Sequence, residues 1–346
     1  MRFGRTARLL SLALACLGLA ALATPKVAKA QAYTPIDAFQ QVARMGRGVN
    51  VLGYDPLWKD PSRARFHTRH FKRIHDGGFQ TIRVNLDAFP HMDAQDRLSP
   101  QWFKTLDWIV DEGTKAGLNV IIDEHNFNEC GKDLADCRPK LVAFWRQVGE
   151  HYRNAPNSVL FELLNEPNGQ LDPAHWNELM HQLLAVVRET NPTRTVVIGP
   201  AFWNSINELK NLDLPADDRN IIVTVHYYLP MEFTHQGASW NPATYHLSGV
   251  HWGTPAEYAR IDHDFDGVQA WAKANNRPIL LGEFGALDTG DMPSRVRYTS
   301  AVARAAEARG WAWTYWQFDS NFIVYDMAKD DWVQPIWRAL VPEGAK

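Results

Sequence analysis

Asn119-Val120-Ile121-Ile122-Asp123-Glu124-His125-Asn126 begins as an apolar run and ends in four polar side chains able to do chemistry. Val159-Leu160-Phe161-Glu162-Leu163-Leu164-Asn165-Glu166-Pro167 repeats that pattern further along the chain. A near-continuous apolar run of strand length reads as a strand covered on both faces. Working outward, comparable runs lie at 48–53, 81–86, 195–199, 221–228, 279–284 and 311–318, beside these two at 119–125 and 159–165. Helical patterns fall between them, near 66–76, 100–116, 139–153, 174–190, 203–209, 255–274, 293–309 and 333–340. Pro173 behind Asp172 suits a first helical residue after its N-cap, and Gly117 and Gly310 read as helix stops. Eight strand–helix units in succession predict an α/β protein, a single (β/α)8 TIM barrel over residues 31–346. An open doubly wound sheet would lean on G-x-G-x-x-G after the first strand, and none stands there.

The chain has 346 residues, 45% of them hydrophobic, which suffices for a large core and excludes a disordered class. Residues 1–30 read as an export signal. Arg2, Arg5 and Arg8 precede an apolar run over 9–23, and Ala28-Lys29-Ala30 fits a small-x-small cleavage site. The run is too short to span a bilayer, so the expectation is a secreted or periplasmic protein that is free of the membrane after cleavage. That stretch carries five basic residues and no acidic ones, leaving 31 basic against 39 acidic. A chain of that sign should avoid nucleic acid and suit neutral substrates. Cys130 and Cys137 then remain, and two nearby cysteines in an exported protein are expected to pair. A loop this short gains about 2–3 kcal/mol at most. No Cys or His stands near them at metal-ligand spacing, and neither a metal nor another cofactor is expected.

In a barrel the carboxyl ends of the strands build the active site. Strand two ends with Arg83 and Asn85, strand three with Asp123 to Asn126, and strand four with Asn165-Glu166-Pro167. His226-Tyr227-Tyr228 ends strand six, Glu283-Phe284-Gly285 strand seven, and Trp316-Gln317 lies on strand eight. Each residue alone has a structural reading, but six polar strand ends in register are hard to explain as accidents. Two carboxylates across a barrel mouth suit glycoside cleavage, one protonated to serve the leaving oxygen and one ionised to attack. Strands four and seven allow a separation of about 5–5.5 Å, the retaining geometry.

Leu163-Leu164-Asn165-Glu166-Pro167 and Leu281-Gly282-Glu283-Phe284-Gly285 resemble the two catalytic strands of glycoside hydrolase family 5, in clan A. The resemblance covers nearly the whole mature chain, and the loop 233–240 is similar to one in bacterial β-glucan-cleaving members. It implies Glu166 as acid/base and Glu283 as nucleophile. It further implies that Asn50, Arg83, His125, Asn165, His226, Tyr228 and Trp316 line the substrate site. Arg83 and Tyr228 are expected to donate to Glu283 and lower its pKa, and His226 to hold Glu166 or a sugar hydroxyl. Trp58, Phe127, Trp203, Trp240 and Trp252 stand in loops where cleft and core are equally open readings. The expected activity is a monomeric endo-β-1,4-glucanase of the cellulase type, acting on a polysaccharide or oligosaccharide by double displacement. β-Mannan, mixed-linkage glucan, xyloglucan and β-1,3-glucan stay open as substrates. Transfer to a sugar acceptor, or carbohydrate binding without activity, would be separated from hydrolysis by the products formed.

Overall fold

A computed structural model describes residues 33–344, and the expected export segment lies outside them. Eight parallel strands close into a barrel: β1 (Arg47–Val51), β2 (Thr81–Leu86), β3 (Asn119–Glu124), β4 (Val159–Glu162), β5 (Val196–Ile198), β6 (Ile221–Tyr227), β7 (Ile279–Phe284) and β8 (Ala312–Tyr315). β1 pairs with β8 as well as β2, which removes both sheet edges. The order is the chain order, as expected for a (β/α)8 barrel.

Alternation along each strand sorts its residues into two sets. Ile82, Val84 and Leu86 of β2 point outward into the apolar shell beneath the helices, as do Val120 and Ile122 of β3. The inward set is apolar at the bottom of the barrel. Ile121, Leu160, Val197, Ile222, Leu280 and Ala312 pack there against Ala38, Val42 and Met45. Those three belong to a helix the sequence reading did not anticipate, Ala38–Met45, which plugs the barrel floor. Higher up, the inward set turns polar: Asn50, Arg83, Asn85, Asp123, Glu162, Thr224 and Thr314 are all fully buried.

One irregularity decides where the chemistry points. On β7, Leu280 faces inward and Leu281 outward, so strict alternation would send Glu283 outward. The register slips there: Val225 pairs with Leu281, but His226 pairs with Glu283, leaving Gly282 as an extra residue. Such a bulge flips the side chains beyond it, and Glu283 faces the barrel axis. The Gly282 carbonyl accepts from Asn50 Nδ2 (3.0 Å) and Thr314 Oγ1 (2.5 Å), so the carbonyl at the bulge is satisfied by side chains.

The helices fall where the sequence places them, with two differences. The segment 203–209 is not an α-helix. Phe202, Trp203 and Asn204 have φ of 53°, 61° and 53°, a left-handed turn that no helix continues, followed by a 3-10 helix Ile206–Asn211. The helix expected at 139–153 begins earlier, at Leu134, with Asp133 as N-cap. A short helix Phe127–Lys132 precedes it, and Cys130 and Cys137 form a disulfide between the two. Asp172 caps Pro173–Thr190 as expected, its carboxylate accepting from the His175 N–H.

A Cβ on Gly282 would fall 2.4 Å from Thr224 Oγ1 and 2.9 Å from His226 Nε2. Gly282→Ala should therefore lower unfolding free energy by about 1–3 kcal/mol. A urea midpoint unchanged from wild type would show that the approach of β6 to β7 is not tight.

Candidate active site

Arg83 lies at the centre, fully buried, with every donor directed at an oxygen. Nε and Nη2 grip Glu162 at 2.7 and 2.8 Å, a bidentate pair. Nη2 also donates to Asn165 Oδ1 (2.7 Å) and stands 3.2 Å from Asp123 Oδ2. Nη1 donates to Glu283 Oε1 (2.7 Å) and Asn50 Oδ1 (2.8 Å). Burial alone would lower the Arg83 pKa, but Asp123, Glu162 and Glu283 outweigh it and hold the guanidinium charged.

Glu283 receives a second bond from the Tyr228 hydroxyl, 2.9 Å to Oε2. Across from it, Glu166 Oε1 lies 2.7 Å from His226 Nδ1. One carboxylate oxygen of each Glu and one His226 nitrogen all sit within 4.8 Å of one another. Burial lowers His226 to about 4, so its ring is neutral at neutral pH. Asn204 Nδ2 stands 3.2 Å from His226 Nε2; donating there, it leaves the proton on Nδ1, facing Glu166. Burial raises Glu166 to about 7, against the charges of His125 and Arg83. Glu283 is also raised, by burial first and by the Glu166 charge, despite the opposing Arg83. The expected hydrogen bonds to Glu283 are present, but the expected downward shift is not, because burial wins. The two carboxyl groups nevertheless differ in kind. Glu283 has a guanidinium and a phenol aimed at its charge, whereas Glu166 has a neutral imidazole.

Asn165 turns its Oδ1 to Arg83, and its buried Nδ2 has no partner among the described residues. His125 Nδ1 binds Asp123 Oδ2 at 2.7 Å, and its ring lies parallel to Trp316 (6° between planes). Asn50 differs from expectation. It is wholly buried, its Nδ2 spent on the Gly282, Thr314 and Tyr315 carbonyls and its Oδ1 on Arg83 and Asn85. It works beneath the cleft rather than at its surface. Of the loop aromatics, Trp252 is core, and Trp58 stacks on Trp102 while its indole N–H ties down the Leu52 carbonyl. Trp203 (53% exposed) and Trp240 (57%) are open to a ligand.

Sequence reading missed Glu162, Asn204 and Tyr54. Glu162 carried a signal: a charge inside an apolar run, on the inward parity, requires a buried partner. Tyr54, 67% exposed, meets the edge of Trp316 at 6.4 Å and carried none. Glu166, His226 and Glu283 offer metal-ligating atoms, but Arg83 already supplies positive charge 2.7 Å from Glu283. His226 Nδ1 is likewise engaged with Glu166. The donor set is therefore satisfied without a cation.

The family model for cellulase, glycosyl hydrolase family 5, matches residues 42–322. The chain belongs to glycosyl hydrolase family 5. Among relatives, Endoglucanase H of Acetivibrio thermocellus is 29% identical over 322 residues, 89% of this chain. The match spans only 34% of that relative's length. The endoglucanase Cel5A of Thermotoga maritima is 35% identical, covering 88% of this chain and all of its own, with a TM-score of 0.84. Its structures include complexes with cellobiose and with mannotriose. The cellulose synthase subunit Z of Clostridioides difficile is 32% identical over 86% of this chain and 99% of its own, with a TM-score of 0.81. No helix among the described residues of this family 5 chain is long and apolar enough to cross a membrane.

A raised carboxyl pKa has a stability consequence of fixed sign. The Glu166 contribution is fully present below the ordinary value of 4.5 and is lost as pH rises to about 7. The loss amounts to about 3 kcal/mol at most. Glu166→Gln should flatten this part of the stability curve and make the protein relatively more stable at pH 8. Denaturant titrations at pH 4.5, 6 and 8 measure it; parallel wild-type and variant curves would contradict the shift.

Proposed function

We propose that this protein hydrolyses β-1,4-linked glucan internally, with retention of anomeric configuration. The observation that carries the reading is the unlike carboxyl pair, with oxygens within 4.8 Å. An inverting enzyme holds its carboxyl groups about 6.5–9.5 Å apart to admit a water between base and sugar. Here Glu283 attacks the anomeric carbon directly, its charge aimed by Arg83 and Tyr228. Glu166, protonated, gives its proton to the departing glycosidic oxygen, then takes one from water as that water cleaves the glycosyl-enzyme. Asn165, its Oδ1 fixed by Arg83, offers Nδ2 to the sugar 2-hydroxyl, a contact that strengthens in the transition state. Trp316 supplies the stacking face beside the cleavage point.

Tyr54, Trp203 and Trp240 stand on different loops, which supports an open cleft and cleavage within a chain. A second reading, action on β-mannan as well, rests on the relative from Thermotoga maritima solved with both cellobiose and mannotriose. The export pattern over residues 1–30 supports action outside the cytoplasm. We take the monomer as the working unit, since Arg83, Glu166, His226, Tyr228 and Glu283 are bonded to one another within a single barrel.

Glu283→Ala should lose at least about 10³-fold in kcat on an aryl β-cellobioside. Azide should partly restore it, giving the α-azide product. Proton NMR of wild-type hydrolysis should show the β-anomer first, while viscosity of a soluble glucan falls faster than reducing ends appear. An initial α-anomer would overturn the double displacement. Steady release of one small sugar without a viscosity drop would overturn internal cleavage. Reducing-end assays on mannan and glucan separate the two substrate readings.

A further inference from the structure

Glu166 sits in a backbone conformation that resists it. Its φ is 42°, left-handed for a residue with a side chain, and the proline that follows disfavours helical values at the position before it. Such a conformation persists only when its surroundings over-determine it. On one side those surroundings are the corner between the helices Phe127–Lys132 and Leu134–His151; on the other, the Trp203 N–H donates to the Pro167 carbonyl (3.2 Å) and His226 Nδ1 lies 2.7 Å from the Glu166 carboxyl. The Gln170 N–H donates to the Gly131 carbonyl (2.9 Å). Its side chain straddles the corner, Nε2 donating to Lys132 O (2.7 Å) and Oε1 accepting from Leu134 N (3.0 Å). Asn168 Nδ2 donates back to the Glu166 carbonyl (2.9 Å) and reaches the Phe127 carbonyl at 3.4 Å.

The packing allows no slack. A Cβ on Gly131 would meet Asn168 Oδ1 at 2.4 Å, and one on Gly169 would meet Gly131 O at 2.3 Å. Every dock for residues 166–170 on this side thus lies on Phe127–Leu134. A six-residue helix has little stability of its own. Besides the single linking residue Asp133, the buried Cys130–Cys137 disulfide ties it to the long helix, with Cα atoms 4.9 Å apart, one residue from Gly131.

We propose that the Cys130–Cys137 disulfide is a positioning device for the general acid: it fixes the helix corner on which the Glu166 loop is docked. The inference rests on the assignment of Glu166 as acid/base. Opening the bridge leaves Arg83, Tyr228 and Glu283 in place, because none of them touches that corner. The nucleophilic half of the reaction is kept and proton delivery is impaired.

The experiment compares kcat/KM on 2,4-dinitrophenyl and phenyl β-cellobioside for wild type, Cys130→Ala/Cys137→Ala, Gln170→Ala and Glu166→Ala. Dinitrophenolate departs without a proton and phenolate does not. The double cysteine variant and Gln170→Ala should fall roughly 10- to 100-fold on the phenyl substrate and stay within about twofold on the dinitrophenyl one. Equal loss on both substrates, or no loss, would overturn the brace. Gln170→Ala keeps the bridge, so it tests the docking even where the cysteine variant does not fold. Glu166→Ala separates the two ideas. If it loses equally on both substrates, the acid assignment fails and the brace with it; if it shows the split and the other variants do not, the brace alone fails.

Discussion

A single guanidinium organises the polar half of this barrel. Arg83 is fully buried and faces Asp123, Glu162 and Glu283, three acids against one fixed positive charge. Desolvating that many ions is tolerable only with extensive hydrogen bonding; Arg83 serves Glu162 and Glu283, while Asn85 and His125 serve Asp123 Oδ2. The excess of acid has a consequence. Burial pushes Asp123 to about 6 and raises Glu162, so on acidification the layer takes up protons at a higher pH than the same groups would in water. Of Glu166 and Glu283, Glu283 draws the better compensation, with a charged donor and Tyr228 both on its oxygens, and it is the better of the two placed to carry negative charge.

The backbone has to deliver Glu283 to that guanidinium, and regular strand geometry would not. The extra residue at Gly282 reverses the facing of everything beyond it, and Asn50 and Thr314 close over the carbonyl it exposes. Asn50 thus serves twice, holding the bulge with its amide nitrogen and Arg83 with its oxygen. On the far side Gly199 plays a comparable part. A Cβ there would collide with Asn204 Oδ1 at 2.1 Å, so its absence lets the left-handed turn bring Asn204 against His226. Function-bearing side chains here are aimed by glycines that admit a neighbour, and the left-handed residues that are neither Gly, Asn nor Asp (Leu52, Glu166, Phe202 and Trp203) all lie beyond the carboxyl ends of strands.

This explains which features could be read in advance. Strands buried on two faces leave an apolar record of their length, so β2 and β7 were legible to the residue, and the polar strand ends announced the site. The bulge was not legible, since a glycine between Leu281 and Glu283 is equally compatible with an unbroken strand. Nor was the turn at 202–204, where Phe202 and Trp203 carry none of the residues that normally mark positive φ. Asn50 had the right residue type for a sugar contact, and only its depth shows that its amide is consumed by carbonyls. Glu162 was legible in principle, but only once inward parity was assigned to its strand.

The division of labour proposed for the two carboxyls follows from depth and partners rather than from residue type. Both are glutamates at strand ends, both are raised by burial, and the Glu166 charge raises Glu283 further. Glu166 is separated from Arg83 by Asn165 and rests on an imidazole that is itself neutral, so the opposing influence of His125 and Arg83 falls short of its loss of solvent, and it keeps its proton to about 7. A charged donor in place of His226 would stabilise its anion and weaken the proposed acid. A neutral one in place of Arg83 would raise Glu283 further and weaken the proposed nucleophile. The same fold could therefore lose either step by a change that leaves both glutamates untouched, which is why the neighbours of the pair, and not the pair alone, define the reaction.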